Sequence, residues 1–200
     1  MKQIKRKRIL CAVVAVLLLG ILAVGLLWQK KQTAIAILTI ETPQKVSASL
    51  NESLILDVTI SDLGAARYPA MSASISFDAS RLEFLGLDEG NVFVHDDSNS
   101  SGQKLPEWSC NVEQSNANGR INIMYLDMSG GKHAFDKKLL AEEDNVVLRL
   151  KFRLRGSVRS GDVCDLIFDD AVFAASDENE SLAMTRNTLK VRNSKIVIGE

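Results

Sequence analysis

Histidine and cysteine are scarce in this sequence of 200 residues. It contains two histidines, His95 and His133, and three cysteines. Because the histidines lie far apart and no cysteine stands near them at the spacing of zinc ligands, no zinc site is predicted. Only Cys110 and Cys164 lie outside the long apolar run near the N-terminus. They are too few for a disulfide framework, although an oxidising compartment would permit them to pair.

Catalytic motifs are also missing. The sequence has no nucleophile elbow, phosphate loop, metalloprotease helix or dinucleotide fingerprint. Acid pairs such as Asp169-Asp170 occur, but surface segments commonly gather such pairs without any catalytic role. Residues 97–102 imitate the first half of a calcium loop, yet the twelfth position holds Trp108 where a bidentate acid is required. The sequence therefore predicts no enzyme activity, no metal site and no cofactor.

Positive charge is concentrated at the N-terminus. Residues 1–32 contain seven basic and no acidic side chains, which leaves 17 basic against 25 acidic side chains and a net charge of −8 in the remainder. A net acidic domain is a poor match for the phosphate backbone of nucleic acids. It is equally unsuited to adsorption on an anionic membrane surface. Nucleic acid is therefore excluded as a partner.

One long apolar run is present, at residues 9–28, and it carries no charge. A helix of about 20 residues matches the roughly 30 Å hydrocarbon core of a bilayer, so we predict a transmembrane helix here. The basic segment at residues 1–8 then lies in the cytoplasm. After a linker at residues 29–33, residues 34–200 form a domain on the outer side of the cell membrane.

A cleaved signal peptide is the alternative reading of this N-terminal run. Ala34-Ile35-Ala36 has the small-x-small form that signal peptidase accepts. The apolar run is longer than the usual signal core of about 7–15 residues, which favours the retained anchor. The domain is exported in either case, and it would be secreted if the run is removed.

The region after residue 34 reads as an all-β domain of about nine strands. Short runs of Val, Ile, Leu and Phe alternate with Gly, Asn, Asp and Ser, which is typical of an antiparallel sandwich or barrel. Two of these strands have clear inner and outer faces. The inner residues are Leu54, Leu56, Val58 and Ile60 in one strand and Met71, Ala73, Ile75 and Phe77 in the next. The outer residues of the second strand are Ala70, Ser72, Ser74 and Ser76.

The strand at residues 120–128 is apolar on both faces. One face carries Ile121, Ile123 and Tyr125, and the other carries Met124, Leu126 and Met128. A two-layer sandwich requires only one apolar face on each strand. This strand is therefore either central and covered, or its second face is meant for a partner.

Local signals predict a hairpin, a bulge and a helix. Asn118-Gly119 favours a hairpin between strands at residues 107–114 and 120–128, because both residues accept positive φ. Asp169-Asp170 interrupts two apolar runs, where a bulge or turn would be natural. Residues 135–143 have a helical face and predict the one short helix of the domain.

The clearest strand, at residues 146–154, alternates apolar side chains with Arg149, Lys151 and Arg153, and Arg155 continues the series. We interpret this basic stripe as a solvated face whose charges discourage edge-to-edge pairing. A site for an acidic partner is the alternative interpretation.

The order of these segments resembles a cohesin domain, a jelly-roll β-sandwich related to cellulose-binding modules. Residues 74–84 resemble the family's strand, corner and next strand, although Ala79 stands where proline is usual. Residues 120–130 are similar to the strand before the family's small-residue turn. Residues 146–154 and 167–174 match the strands that follow. The predicted helix at residues 135–143 is more like the type II cohesins than the type I.

The resemblance implies a non-catalytic module that binds dockerins, the small calcium-loaded modules of polysaccharide-degrading enzymes, through one sheet face. Type I members often carry a polar Asn-x-Asp pair where this chain has Ala70 and Ser72. Carried over residue by residue, the resemblance implies that the binding residues are Ala70, Ser72, Ser74, Met124, Tyr125, Leu126, Asp127, Met128 and Val172.

Two further functions remain open. A surface module that binds polysaccharide directly would present coplanar exposed aromatic rings, for which Trp108, Tyr68 and Tyr125 are candidates. An assembly protein of the cell envelope could use the same sandwich for an unrelated partner.

Overall fold

The structure of the protein is a computed structural model that describes residues 35–42, 46–47, 53–98, 100–176 and 182–199. The predicted cytoplasmic segment (1–8), membrane span (9–28) and linker (29–33) lie outside the described residues. Within the described ranges, no helix is both long and apolar enough to cross a bilayer.

Most of the regular secondary structure in the described ranges is β-strand. In order they are β1 (Ala36–Ile40), β2 (Ser53–Ile60), β3 (Ala70–Phe77), β4 (Leu82–Glu89), β5 (Val94–His95), β6 (Gln103–Lys104), β7 (Arg120–Leu126), β8 (Val146–Leu154), β9 (Val163–Ala174), β10 (Leu189–Arg192) and β11 (Ser194–Val197). One short helix, α1 (Val112–Asn118), lies between β6 and β7.

The strands form two sheets that enclose a single core. The back sheet has the order β10-β1-β2-β8-β4, and the front sheet has the order β11-β9-β3-β7. Pairing is antiparallel throughout these two sheets except between β1 and β10, which run parallel. The two-residue strands β5 and β6 form a separate ribbon.

Alternation of apolar and polar residues decides which side of each strand is buried. The predicted inner residues of β3 are all buried, and so are those of β8. The Phe152 ring of β8 lies 5.4 Å from Phe77 of the front sheet and 5.5 Å from Phe84 of β4. The first contact joins the two layers and the second lies within the back sheet, and together they favour one packing arrangement over its alternatives. The predicted β-sandwich is confirmed, but it has eleven strands in the described ranges where about nine were predicted, and its one short α-helix is not at the predicted place.

The basic stripe does not protect an edge, because β8 is an inner strand between β2 and β4. Its basic side chains form ion pairs with acids of the two neighbouring strands. Arg149 Nε lies 2.9 Å from Asp57, Lys151 Nζ lies 2.7 Å from Asp88, and Arg153 lies 2.7 Å from Glu83. The prediction of a stripe that discourages pairing was wrong, because opposite charges on adjacent strands favour it.

The predicted hairpin around Asn118-Gly119 was also wrong. The last residues of its predicted first strand, and the predicted turn up to Asn118, belong to the helix α1. Asn111 caps the helix by accepting a hydrogen bond from Gln114 N at 2.9 Å. Gly119 ends it with a φ of 64°. Positive φ is required both in a tight hairpin turn and at a helix C-terminus, so the same dipeptide suits either structure.

The helix predicted at residues 135–143 is absent there. The segment contains one 3₁₀ turn, Lys137–Leu139, preceded by an extended Phe135. Phe135 and Tyr68 exchange both backbone hydrogen bonds at 3.0 Å, which holds Phe135 in a bridge and prevents a helix from starting at that residue. The likeness to type II members rested on this helix and loses its support.

Candidate functional site

The outer surface of the front sheet carries small side chains along its centre. β3 directs Ala70, Ser72, Ser74 and Ser76 to this side, because the residues between them point into the core. The register aligns Leu126, Met124, Asn122 and Arg120 of β7 along one flank and Ala174, Val172, Asp170 and Ile167 of β9 along the other. We call this surface, together with Met128 just after β7, the front face.

One half of the front face is apolar. Ala70 lies between Ala174 and Leu126, and the next outward row places Ser72 between Val172 and Met124. The exposed fraction is 50% for Met124, 52% for Leu126 and 86% for Met128. Large apolar side chains grouped in this way on a polar surface indicate a contact site for another molecule.

The other half of the front face is polar and its groups are hydrogen-bonded to one another. The Ser74 hydroxyl donates to Asn122 Oδ1 at 2.8 Å, and the Ser76 hydroxyl donates to Asp169 Oδ2 at 2.6 Å. Arg120 Nε lies 3.3 Å from the same Asp169 oxygen. These contacts fix the side chains in place, so a partner meets a preformed pattern of donors and acceptors.

A β-bulge brings Asp169 into this network. β9 is continuous, but its pairing with β3 shifts between Ser74, which pairs with Asp170, and Ile75, which pairs with Phe168. The extra residue, Asp169, therefore has no partner in the ladder, and its carboxylate reaches Ser76 and Arg120. The bulge that the sequence predicts at this point is confirmed.

Tyr125, a predicted binding residue, faces the core beneath the apolar half. Its ring packs 5.0 Å from Phe135 and 5.9 Å from Trp108, and its hydroxyl donates to the His133 carbonyl at 2.7 Å. Burial, followed by the nearby charge of Asp127, raises the pKa of Tyr125 to about 12. The hydroxyl is therefore a permanent hydrogen-bond donor that supports the front face from below.

Asp127, another predicted binding residue, is turned into the loop that follows β7, and its side chain is only 1% exposed. Its carboxylate accepts hydrogen bonds from Ser129 Oγ and from the backbone N–H groups of Ser129, Gly131 and His133. Burial alone would raise its pKa, but these donors outweigh burial and hold the pKa at about 2. Asp127 therefore shapes the loop beside Met128.

The structure places six of the remaining predicted binding residues on the outer side of the front sheet: Ala70, Ser72, Ser74, Met124, Leu126 and Val172. Met128 is exposed and lies two residues after the end of β7. Tyr125 and Asp127 are buried behind them. The sequence prediction omitted Asn122 and Arg120. Both follow from the period-2 alternation that starts at Met124, so the signal was present in the sequence.

A groove beside the front face was not foreseen, because residues 112–114 were predicted as strand. It has a volume of about 530 Å³ and runs between α1 and the outer residues of β3 and β7. Asn111 and Gln114 line it from the helix side, and Arg120 and Asn122 line it from β7. The groove extends the polar half with amide and guanidinium groups that can bind polar side chains.

The described residues offer no flat aromatic platform for a sugar. Tyr68 is buried in the core, and the centroid of its ring lies 6.0 Å from that of Phe173. Trp108 is stacked on Phe135. The large apolar side chains that are exposed within the described ranges are all aliphatic or methionine. Within those ranges there is also no group of three His, Cys, Asp or Glu side chains placed to hold a metal ion.

Comparison with protein families gives one match. The family model of the cohesin domain matches residues 42–191, which is three quarters of the chain. Comparison with curated protein sequences gives no match.

Comparison with solved structures gives several cohesins at low sequence identity. The sixth cohesin of scaffoldin B from Acetivibrio cellulolyticus, solved with a Cel5 dockerin mutant, is 19% identical with a TM-score of 0.57, covering 82% of this chain and 98% of that one. The third cohesin of ScaC from the same organism, solved with the ScaB dockerin, is 14% identical with a TM-score of 0.60, covering 82% and 99%. A type I cohesin–dockerin complex of OlpA from Clostridium thermocellum is 19% identical with a TM-score of 0.56, covering 82% and 98%.

Proposed function

This chain belongs to the cohesin family, and we propose that it binds a dockerin through the front face. The observation that carries the proposal is the exposed row of Met124, Leu126 and Met128 beside the small residues of β3. Small residues at the centre allow a partner helix to approach closely, while the larger apolar side chains supply the area that is buried. The structures that resemble this chain include cohesins solved together with dockerins.

Binding of this kind needs no chemical step. The front face offers apolar groups, hydroxyls and amides, and its acids are engaged by other side chains. Asp169 accepts from Ser76 and faces Arg120, and Asp170 lies 3.4 Å from Arg186. Affinity would come from burial of the apolar half, at roughly 25 cal/mol for each Å² of apolar surface removed from water. The polar half would fix the orientation of the partner.

Location at the membrane is the second part of the proposal. Residues 9–28 would anchor the chain, with residues 1–8 in the cytoplasm and the cohesin domain outside. The uncharged apolar run and the excess of basic residues before it support this arrangement. A dockerin-bearing protein bound to the front face would then be held at the cell surface.

A binding assay with a matched pair of variants tests the docking proposal. The full chain, purified in a mild detergent, is titrated by calorimetry with a panel of dockerins that includes those of the matched complexes. Met124→Glu places a charge in the apolar half. Ile55→Glu does the same on β2 of the back sheet, where the side chain is 52% exposed and therefore comparable.

We expect at least one dockerin to bind the unaltered chain and the Ile55→Glu variant with equal affinity. Met124→Glu should weaken that binding at least a hundredfold, because the partner would have to bury an unpaired carboxylate. Absence of binding to every dockerin would refute the proposal. Equal losses in both variants would place the binding surface elsewhere.

A further inference from the structure

The described methionines divide into two pairs. Met71 and Met184 are buried in the core, with exposed fractions of 1% and 0%. Met124 and Met128 are exposed, and both belong to the front face. The thioether groups that solvent can reach within the described ranges are therefore the ones on the proposed docking surface.

An exposed thioether is open to oxidation by peroxide. The methionine sulfur donates a lone pair to one oxygen of hydrogen peroxide, the O–O bond breaks, and water leaves. The product is methionine sulfoxide, which carries a strongly polar S=O group on a side chain that was apolar. A reductase reverses the step by oxidising two thiols to a disulfide and releasing the oxygen as water.

We propose that Met124 and Met128 form a reversible oxidation switch on the front face, an inference that rests on the proposed dockerin binding. Both side chains lie in the apolar half, where a partner would remove them from water. Of the neighbouring side chains in this half, Ala70, Leu126 and Val172 offer no donor to a sulfoxide oxygen, and the hydroxyls beside Met124 are those of Ser72, its partner in the ladder, and of Ser109, which forms a bridge with it. The S=O group would lose most of its contact with water when a partner covers this largely apolar half, and removing a strongly polar group from water costs binding energy, so oxidation weakens docking.

Oxidation at these positions leaves the fold intact. Met128 follows the last residue of β7, and Met124 points away from the core, which is filled on the other side of the strand by Ile123 and Tyr125. The added oxygens are accommodated in solvent, so the free energy of unfolding should not change. The switch therefore acts on binding alone.

Cysteine is the competing target for peroxide. Cys110 and Cys164 are free thiols, and Cys110 borders the groove beside the front face. Burial raises the pKa of Cys110 and is also the largest influence raising that of Cys164. A thiol with a higher pKa has a smaller fraction in the thiolate form, which is the form that reacts. A Cys110→Ser variant separates a thiol effect from the proposed thioether effect.

The test uses the full chain in peroxide-free detergent and the dockerin from the panel that the untreated chain binds best. The chain is treated with graded hydrogen peroxide, mapped by mass spectrometry of its peptides, and titrated with that dockerin. We expect Met124 and Met128 to gain oxygen well before Met71 and Met184. Affinity should fall at least tenfold with an unchanged melting temperature, and methionine sulfoxide reductase should restore it.

The Met124→Leu/Met128→Leu double variant is the matched control. Leucine keeps a similar apolar volume but has no sulfur, so the affinity of this variant after peroxide treatment should equal its own affinity before treatment. Cys110→Ser should lose affinity on treatment as the unaltered chain does. Met1, Cys11 and Cys164 are present in every variant, so their oxidation is common to all arms.

Three results would overturn the switch while dockerin binding stands. These are equal oxidation rates for buried and exposed methionines, unchanged affinity after complete oxidation of Met124 and Met128, and loss of affinity in the double leucine variant. Protection of affinity by Cys110→Ser would assign the effect to the thiol and also overturn it. If the untreated chain binds no dockerin, the proposed function fails and the switch falls with it.

Discussion

Ile123 and Met124 are neighbours in β7, yet the first contributes to the core and the second to the front face. Ile123 is buried in the core, whereas Met124 points to solvent on the front face. The difference arises only from the two-residue period of a strand. Stability and binding are therefore separated at adjacent positions of one strand.

Truncation at these two positions should separate the two effects. Ile123→Ala is expected to lower the free energy of unfolding by about 3 kcal/mol, because it leaves a cavity in the core. Met124→Ala should change stability by less than about 0.5 kcal/mol but weaken dockerin binding by about tenfold or more. Urea unfolding and calorimetric titration of both variants measure these effects. Equal destabilisation by the two would contradict the assignment of faces.

Asp127 makes stability depend on pH in the acid range. Its pKa is lowered from 3.8 to about 2 in the folded chain, so the carboxylate contributes stability above the unfolded pKa and loses it as pH falls towards 2. The shift corresponds to roughly 2 kcal/mol. Asp127→Asn should therefore be destabilised relative to the unaltered chain at pH 6, and the difference should shrink by pH 2.5.

Urea unfolding at a series of pH values measures this difference. Asp97→Asn is the control, because Asp97 is an exposed acid in a neighbouring loop. That variant should follow the unaltered chain across the whole range. A difference between Asp127→Asn and the unaltered chain that stays constant between pH 6 and pH 2.5 would contradict the account of the Asp127 loop.

Among the elements, the strands with regular alternation were predictable. In β2, β3 and β8 most apolar residues fall on one side over seven or more positions, and that side faces the core; Ile55 of β2 is an exposed exception. The period of such a run decides both the type of element and its inner face. β7 was harder, because both sides are apolar and only the sheet order shows which one is covered.

The helix α1 was not predictable from the same signals. Seven residues give too few turns for a helical period to show, and Asn118-Gly119 suits a hairpin as well as a helix end. Tertiary contacts select the helix over the hairpin. Asn116 of the helix donates to the Phe84 carbonyl and accepts from Phe84 N, both at 2.8 Å. Such a contact joins segments about 30 residues apart, and no local pattern reports it.

Gly119 offers a test of how α1 is joined to β7. At a φ of +64°, a Cβ at this position would lie 2.9 Å from the Phe77 carbonyl oxygen. Gly119→Ala should lower the free energy of unfolding by about 2 kcal/mol, from backbone strain plus the close contact. Gly130 has a φ of +78° but open space around it, so Gly130→Ala should cost only about 1 kcal/mol. Thermal or urea unfolding of both variants gives the comparison, and equal costs would contradict the close approach.

For the whole molecule, the order of the segments along the chain indicated the family more clearly than any single segment did. Residues 74–84, 120–130 and 146–154 are individually ordinary alternating runs, but their sequence and spacing indicated the cohesin family, and the family match at residues 42–191 confirms it. The site was predicted in outline for the same reason, since the outward residues of β3 and β7 follow from the period. The groove along α1 and the network around Asp169 depend on contacts between distant segments.

Membrane anchoring is a prediction at this scale as well. The full chain should remain with the membrane fraction after alkaline extraction, and protease added to intact cells should degrade the cohesin domain. A chain lacking residues 1–28 should instead be soluble and stay inside the cell. Release of the full chain by alkaline extraction, or protection of the domain in intact cells, would contradict the proposed orientation.

Side-chain footprinting with hydroxyl radicals can locate the surface that a bound dockerin covers. A bound dockerin should lower the labelling of Met124, Leu126 and Met128. Ile55 and Val191 on the back sheet, which are exposed in the free chain, should be labelled as before. Protection of Ile55 and Val191 with unchanged labelling of the three front-face residues would contradict docking through the front face.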